Sequence, residues 1–151
     1  MSTTALTLEE IYNLAFTSLL NNGCDEYNAE AVSTTVTHAE RDGSISHGLF
    51  RIPGYIASLK SKKVKGNARP SNIFLTQNAI RVEGDFGFAP TAIKVGMPSL
   101  VETTNKHGVG VLTITNTHHF AALWHETEAL AEKNLIGIAC TAYKPSVAPA
   151  G

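Results

Sequence analysis

Apolar side chains recur at helical spacing along the first part of the chain. Thr7 and Glu10 have the spacing of a capping box before the first run, which ends at Asn22-Gly23. A second run covers residues 25–41 and stops at Asp42-Gly43. This periodicity predicts two helices. Their predicted inner faces consist of Leu8, Ile11, Leu14, Ala15 and Leu19 in the first helix and of Ala29, Val32, Val36 and Ala39 in the second.

The next segment, residues 46–59, combines an apolar stripe with a polar one. If the segment is helical, His47, Arg51 and Tyr55 fall at positions i, i+4 and i+8 and share one face. The opposite face would then be buried in the core and leave the polar face open to a small molecule. The apolar stripe consists of Leu49, Ile52, Ile56 and Leu59.

Two residues decide how this segment begins. Ser46 occupies an N-cap position, from which its hydroxyl can cap the first turn or reach the neighbouring imidazole of His47. Pro53 inside a helix would cost about 3 kcal/mol, so the alternative is a helix that begins nearer Ile52, after a turn. The segment places a guanidinium beside an imidazole, and a carboxylate clamp next to a proton donor is what a 2-oxo or 2-imino acid needs.

Short strand-like segments follow. Residues 72–76 and 79–83 predict a β-hairpin. The glycine-rich residues 84–90 are typical of a turn rather than of a phosphate cradle, and they precede a predicted helix over residues 91–106. Pro98 is expected to kink that helix or to split it in two.

The last third of the chain has the pattern of strand, helix and strand. Residues 108–115 predict an apolar strand covered on both faces, followed by a helix over 120–133 and a second strand over 135–140. This order predicts a right-handed βαβ unit with parallel strands. Because ligands of such sheets gather beyond the carboxyl ends of the strands, we expect a second candidate site at Asn116-Thr117-His118-His119 and Tyr143-Lys144.

Composition narrows the class of protein. The 151 residues are 43% hydrophobic and 17% charged, as in an ordinary soluble globular protein, and the net charge of −1 excludes the basic footprint of a nucleic-acid-binding protein. No run approaches the ~20 apolar residues of a membrane span, and the N-terminus lacks the features of a signal peptide. Cys24 and Cys140 are far apart, which is typical of reduced thiols. We therefore expect a cytoplasmic protein that binds neither nucleic acid nor a membrane.

Three other chemistries are less well supported by the spacing of the residues. Four histidines suggest a metal site, but they form no His-Glu-x-x-His pattern and have no cysteine pair nearby, so no metal is expected. Gly108 and Gly110 precede their strand instead of following it, which disfavours a Rossmann dinucleotide site. A hydrolase built on Ser46 and His47 lacks the Gly-x-Ser-x-Gly elbow. The histidines concerned are His107, His118, His119 and His125.

Four short motifs lie along the chain. They are Ser46-His47-Gly48 with Arg51 and Tyr55, Gly84-Asp85-Phe86-Gly87, Asn116-Thr117-His118-His119-Phe120, and Pro145-Ser146-Val147-Ala148-Pro149-Ala150-Gly151. Together they resemble the type-2 malate/L-lactate dehydrogenase family, which contains NAD(P)H-dependent oxidoreductases with a non-Rossmann cofactor fold. The resemblance implies an α/β fold with an N-terminal helical region over residues 1–70. Residues 71–151 would form the first part of a cofactor-binding domain with a mixed sheet and a βαβ unit, incomplete at its C-terminus. A homodimer is also implied.

Within that family, residues 40–48 and 115–124 are similar to the Δ1-piperideine-2-carboxylate/Δ1-pyrroline-2-carboxylate reductase branch. Dehydrogenase members more often carry an aspartate before the Ser-His-Gly motif and a glycine at the position of Ala121. The resemblance implies reduction of these cyclic imino acids to L-pipecolate and L-proline with NADPH or NADH. Two alternatives stay open: an NAD(P)-dependent L-2-hydroxy acid dehydrogenase of the malate or lactate type, and an inactive N-terminal fragment that folds or dimerises only.

The same resemblance implies roles for individual residues. Ser46 and His47 match a catalytic pair that handles the proton together with an aspartate from farther along the family chain. Arg51 matches the residue that holds the substrate carboxylate, with Tyr55 nearby, and His119 matches a histidine that borders substrate and nicotinamide. Lys144 lies where some members place a polar active-site group, here taken as a substrate contact. The cofactor-binding residues implied are His47, Thr117, His118 and His119.

The motif over residues 145–151 concerns how much of the family's sequence this chain contains. Family members are considerably longer, and here the sequence breaks off within the Ala-Pro-Ala-Gly motif. We therefore expect an N-terminal portion of the enzyme, which lacks the aspartate partner and much of the cofactor site and is poorly active alone.

Overall fold

The computed structural model describes residues 4–119 and 121–142. Two 3₁₀ turns, Ile45–His47 and Leu49–Arg51, precede the third helix. No helix among the described residues is long and apolar enough to cross a membrane. The helices are α1 (Leu8–Leu20), α2 (Glu26–Arg41), α3 (Ile52–Lys60), α4 (Ala89–His107) and α5 (Trp124–Ala131), and the strands are β1 (Ser71–Phe74), β2 (Ala79–Glu83) and β3 (Val111–Thr115).

Both predicted N-terminal helices are confirmed, and their caps explain where they begin. The Thr7 hydroxyl accepts from the Glu10 amide at 3.2 Å, while the Glu10 carboxylate accepts from the Thr7 amide at 2.8 Å. These reciprocal bonds complete the predicted capping box. At the start of α2, the Asp25 carboxylate accepts from the Asn28 amide at 3.0 Å.

The inner face of α1 is narrower than predicted. Ile11, Ala15 and Leu19 are buried, whereas Leu8 and Leu14 are 44% and 51% exposed. Leu8 lies in the first turn, at the end of the helix, and Leu14 lies at the edge of the stripe that the three buried residues define. The predicted burial of Leu8 and Leu14 is therefore wrong, while the four predicted inner-face residues of α2 are all buried.

The helix after the Ser-His-Gly motif begins at Ile52, which confirms the second of the two predicted forms. Pro53 lies in the first turn of α3, where its missing N–H leaves no intrahelical hydrogen bond unmade. Ser46 does not cap this helix, because Arg51 occupies the N-cap position. The prediction of one polar face is also wrong for Tyr55, which is only 5% exposed and packs in the core.

The sheet has the order β1-β2-β3 and is mixed, as predicted. β1 and β2 form the predicted antiparallel hairpin. β2 and β3 run parallel, and α4 connects them, so the βαβ unit is β2-α4-β3. The observed unit ends at β3, the strand with which the predicted unit was expected to begin. α4 continues through Pro98 as one helix, so the predicted split does not occur.

The predicted second strand over residues 135–140 does not form in the described part of the sheet. These residues pair with no described strand, and Ile136 and Ile138 are 98% and 93% exposed. β3 is not covered on both faces either, since its residues alternate between exposed and half-buried. The strand over 135–140 and the burial of both faces of β3 were predicted from apolar runs alone. A strand also needs a neighbour that supplies ladder hydrogen bonds, and burial needs an element packed on each face.

The core lies among α1, α2 and α3 and also includes Val64 and Phe88. Phe88 is 1% exposed and immediately precedes α4, so it ties the sheet and its crossover helix to the N-terminal helices. The division into residues 1–70 and 71–151 stays a prediction. The other buried members of the core are Ala15, Leu19, Cys24, Ala29, Val32, Val36, Ile52, Tyr55 and Leu59.

Gly96 lies where α4 rests on the sheet. A Cβ at this position would come within 2.7 Å of a Val82 methyl group and 2.9 Å of Leu112. We expect Gly96→Ala to lower the free energy of unfolding by about 1–3 kcal/mol, because the added methyl group overpacks this contact. Urea unfolding followed by circular dichroism measures the change.

Gly54→Ala is the matched control for that variant. Nothing lies within 4 Å of a Cβ built at Gly54, and alanine is the better helix former, so this change should keep or raise the stability. Equal unfolding free energies for the two variants would contradict close packing at Gly96.

Candidate active site

The imidazole of His47 lies between two serine hydroxyls and an indole ring. Its Nδ1 is 3.0 Å from Ser46 Oγ and 3.1 Å from Ser44 Oγ. The Trp124 ring stands edge-on to it, with ring centroids 6.0 Å apart, and Trp124 Nε1 donates to the Asp42 carboxylate at 2.9 Å. Because hydroxyls engage Nδ1, the other ring nitrogen, Nε2, is the one suited to exchange a proton with a ligand.

Arg51 ends the second 3₁₀ turn and is half-buried. Its Nε donates to the Ser46 carbonyl oxygen at 2.6 Å, which holds the side chain against the turn. Among the described residues, the ion pairs involve other cations, and no carboxylate lies within salt-bridge distance of Arg51. A guanidinium of this kind can form a bidentate contact with the carboxylate of a ligand.

Tyr55 joins α3 to the loop after β3. Its hydroxyl is 3.2 Å from His119 Nδ1, and its ring packs edge-on against Phe88, with centroids 5.1 Å apart. Burial raises the pKa of Tyr55 to about 12, so the phenol keeps its proton at neutral pH. When the phenol donates to Nδ1, the neutral His119 carries its own proton on Nε2.

His118 is held in the same loop by both backbone and side-chain contacts. Its amide donates to the Gly87 carbonyl oxygen at 2.8 Å, and its carbonyl oxygen accepts from the Ala89 amide at 3.1 Å. Its Nε2 is 3.1 Å from Ser58 Oγ on α3. The two adjacent histidines are therefore tied to α3 by separate side-chain contacts, one from Tyr55 and one from Ser58.

The charge of Arg51 affects the pKa of two imidazoles, those of His47 and His119. Burial is the larger cause that lowers the pKa of His47 and of His119, and Arg51 lowers both further. The pKa of His119 falls to about 4, with smaller contributions from His118 and His47. At neutral pH these imidazoles are therefore largely uncharged, and Arg51 carries the positive charge.

Four predicted site residues, His47, Arg51, Tyr55 and His119, are linked through these contacts and charges. Ser46 contacts the ring of His47, which was one of its two predicted positions. Lys144 lies outside the described residues. The catalytic and binding roles assigned to all of these residues stay predictions.

Sequence reasoning missed Ser44, Ser58 and Trp124. Ser44 precedes His47 by three residues, so its place within one turn of the imidazole is a signal that could have found it. Ser58 follows Tyr55 by three residues on the same helix, which is a similar signal. Trp124 has no local signal, because it reaches His47 from a distant part of the chain.

The glycine-rich turn after β2 packs against the loop after β3. A Cβ at Gly84 would collide with the methyl group of Thr117, and the Phe86 amide donates to the Asn116 carbonyl oxygen at 2.8 Å. The glycine thus permits close contact between two loops. This confirms the predicted turn.

Comparisons with known proteins agree on one family. The family model described as Malate/L-lactate dehydrogenase matches residues 6–151. The Δ(1)-pyrroline-2-carboxylate reductase 1 of Burkholderia ambifaria is 36% identical over 97% of this chain. The Δ(1)-pyrroline-2-carboxylate/Δ(1)-piperideine-2-carboxylate reductase of Pseudomonas aeruginosa is 37% identical over 97% of it. The chain spans 43% and 44% of the lengths of these two relatives.

Solved structures show the same likeness. The crystal structure of Δ1-piperideine-2-carboxylate reductase from Pseudomonas syringae matches with a TM-score of 0.83 and 35% identity, over 87% of this chain and 40% of that one. The crystal structure of malate dehydrogenase from Entamoeba histolytica matches with a TM-score of 0.81 and 28% identity, over 87% of this chain and 37% of that one.

The chain is an α/β protein. Its candidate site, formed by His47, Arg51, Tyr55 and His119, lies beside the carboxyl ends of two parallel strands, β2 and β3. The chain belongs to the malate/L-lactate dehydrogenase family. The predicted family and fold class are thereby confirmed.

The low pKa of His119 should make the stability of the fold depend on pH. An unfolded histidine titrates near 6.5, whereas His119 in the fold titrates at about 4, so the unfolded chain binds one more proton between these values. The stabilisation is present above pH 6.5 and is lost as the pH falls toward 4. We expect this group to account for on the order of 1–3 kcal/mol of the loss, since it is partly exposed.

Urea unfolding at about pH 7, 5.5 and 4.5 measures this dependence. His119→Gln should make the profile between pH 6.5 and 4 shallower, because the amide does not titrate while the other histidines with lowered pKa values still do. His107→Gln, at an exposed position, should leave the profile unchanged. Superimposable profiles for the wild type and His119→Gln would contradict the assignment.

Proposed function

We propose that this chain contributes part of the active site of an NAD(P)H-dependent oxidoreductase that reduces cyclic imino acids. The proposed substrates are Δ1-pyrroline-2-carboxylate and Δ1-piperideine-2-carboxylate, and the products are L-proline and L-pipecolate. The names of the relatives support this substrate class. The observation that carries the proposal is the half-buried Arg51, whose charge lowers the pKa of His47 and of His119. Among the described residues, no carboxylate lies within salt-bridge distance of it.

In this proposal Arg51 binds the substrate carboxylate. Both imines carry that carboxylate on the carbon that is reduced, so a bidentate contact fixes the position of the reacting carbon. The hydrogen bond from Arg51 Nε to the Ser46 carbonyl oxygen limits the movement of the guanidinium. The ring of the substrate is thereby presented with one face toward the hydride donor.

His47 handles the proton. Reduction places a hydride on the imine carbon and a proton on the imine nitrogen, and the hydroxyls of Ser44 and Ser46 orient the imidazole for this transfer. A carboxylate bound to Arg51 would offset the charge that lowers the pKa of His47. The pKa of His47 would therefore rise on substrate binding, which lets the imidazole carry the proton near neutral pH.

A reduced nicotinamide, when bound, would supply the hydride. The described residues fit this end of a cofactor, because His118 and His119 offer hydrogen-bonding rings at the carboxyl end of β3, where ligands of parallel strands gather. Thr117 is proposed as a further contact. Both NADPH and NADH are compatible with these groups.

The proposal includes two further expectations. The family resemblance implies a homodimer, and the composition implies a cytoplasmic location. Size-exclusion chromatography with light scattering measures the assembly state, and a monomer at all concentrations would contradict the first expectation.

Turnover separates the proposal from its alternatives. We expect NADPH to be consumed faster with Δ1-piperideine-2-carboxylate than with pyruvate. A higher rate with pyruvate would favour the L-2-hydroxy acid dehydrogenase, and no NADPH binding in a fluorescence titration would favour the fragment that folds or dimerises only. His47→Asn should lower kcat by about 10²–10⁴-fold, whereas His107→Asn should leave it unchanged.

Arg51→Lys tests the carboxylate contact without requiring turnover. Lysine keeps the charge but loses the planar fork, so the affinity for Δ1-piperideine-2-carboxylate should fall about 10- to 100-fold. Histidine NMR titrations should show that the ligand raises the pKa of His47 and His119 in the wild type. The matched control is Arg81→Lys, on an exposed position of β2. Equally tight binding of a cyclic imine that lacks the carboxylate would count against the proposed role of Arg51.

A further inference from the structure

Two imidazoles from different helices meet at the end of α2. His38, in the last turn of α2, and His125, near the start of α5, have their Nδ1 atoms 3.2 Å apart. Glu128 lies three residues after His125 and therefore on the same side of α5. One nitrogen from each histidine and one carboxylate oxygen of Glu128 all lie within 4.8 Å of one another.

The separation of the two nitrogens matches that of two ligands on one tetrahedral ion. Zn–N bonds are about 2.0–2.1 Å long, so two nitrogens at the tetrahedral angle lie about 3.3 Å apart. Two imidazoles and a carboxylate also form an established donor set for zinc, with water in the fourth position. The Glu128 carboxylate, within 4.8 Å of both nitrogens, would move closer to complete the set.

The charges around the cluster suit a divalent cation. Arg41 donates to the Asp42 carboxylate at 2.7 and 2.9 Å and to the Glu128 carboxylate at 2.9 and 3.0 Å. One guanidinium and two carboxylates leave one net negative charge beside the two imidazoles. A carboxylate can accept about four hydrogen bonds, so the contact with Arg41 orients Glu128 and leaves lone pairs for an ion.

α5 depends on polar contacts for its position. None of its residues is fully buried, so apolar burial contributes little to holding it. Three of its side chains, Trp124, His125 and Glu128, instead contact polar groups at the end of α2. An ion shared by the two helices would add a strong, directional link at this junction.

We propose that His38, His125 and Glu128 bind a divalent transition-metal ion of the zinc type, which fastens α5 to the end of α2. A groove of about 310 Å³ between α2 and α4 has His125 in its wall. The ion would also fix the place of Trp124, whose ring stands against His47. The proposal stands on this cluster alone and does not depend on the proposed reductase activity.

Calorimetric titration of the metal-free chain with ZnCl₂ tests the ligands. We expect one ion per chain in the wild type and at least ~10-fold weaker binding in each of His38→Ala, His125→Ala and Glu128→Gln. The control is His107→Ala, which removes an exposed histidine outside the cluster and should bind zinc as the wild type does. Equal zinc affinity in the wild type and the two cluster histidine variants, or no binding in the wild type, would overturn the proposal.

Histidine tautomers give a second readout that does not rely on the variants. A metal ion on both Nδ1 atoms leaves each ring protonated on Nε2, whereas a direct hydrogen bond between the rings requires one Nδ1–H. Long-range ¹H–¹⁵N spectra of the histidine-labelled wild type should therefore show both His38 and His125 in the Nε2–H form after one equivalent of zinc. Spectra of these two rings that do not change with zinc would overturn the proposal.

Discussion

The burial of Tyr55 is the constraint on which the candidate site depends. Its ring fills the core between α3 and Phe88, and its hydroxyl is the polar end of an otherwise apolar contact. A buried hydroxyl without a partner costs free energy, and His119 Nδ1 supplies that partner at 3.2 Å. His119 itself has a backbone φ of 50°, which non-glycine residues rarely adopt. One packed aromatic side chain thus helps to position a histidine that comes from a different part of the chain.

Arg51 introduces a conflict that a ligand would relieve. Its charge acts on two partly buried imidazoles and makes protonation of both less favourable. In a fold selected for stability alone, a carboxylate beside Arg51 would remove this effect, and the described residues place none within salt-bridge distance. Under the proposed function, this loss of stability at low pH accompanies a guanidinium that can bind the substrate carboxylate. The arrangement also makes anion binding and proton uptake by His47 mutually favourable, because each is opposed by the unpaired charge.

Local hydrogen bonds could be predicted from the sequence, whereas contacts between distant segments could not. Thr7 caps α1 through an amide three residues away, so its role is visible in the spacing alone. Family motifs identified the candidate site residues, but no spacing indicated that Tyr55 would be buried rather than exposed on a polar face. His125 was considered as a metal ligand without His38, because only the packing of α5 on α2 brings the two together. The prediction of a strand over residues 135–140 was wrong for the same reason. Their pattern suits a strand, but strand formation requires a pairing neighbour.

Asp42 connects the two histidine clusters. Its carboxylate accepts from Trp124 Nε1 and from Arg41, and Arg41 in turn donates to Glu128. The bond from Arg41 is the largest cause that lowers the pKa of Asp42 to about 2, so the carboxylate stays charged across the physiological range. The indole of Trp124 then stands against His47 at the other end of this chain of contacts. Because α5 has little apolar burial, any ion that orders it would also restrict Trp124, and through it the ring that we propose as the proton donor.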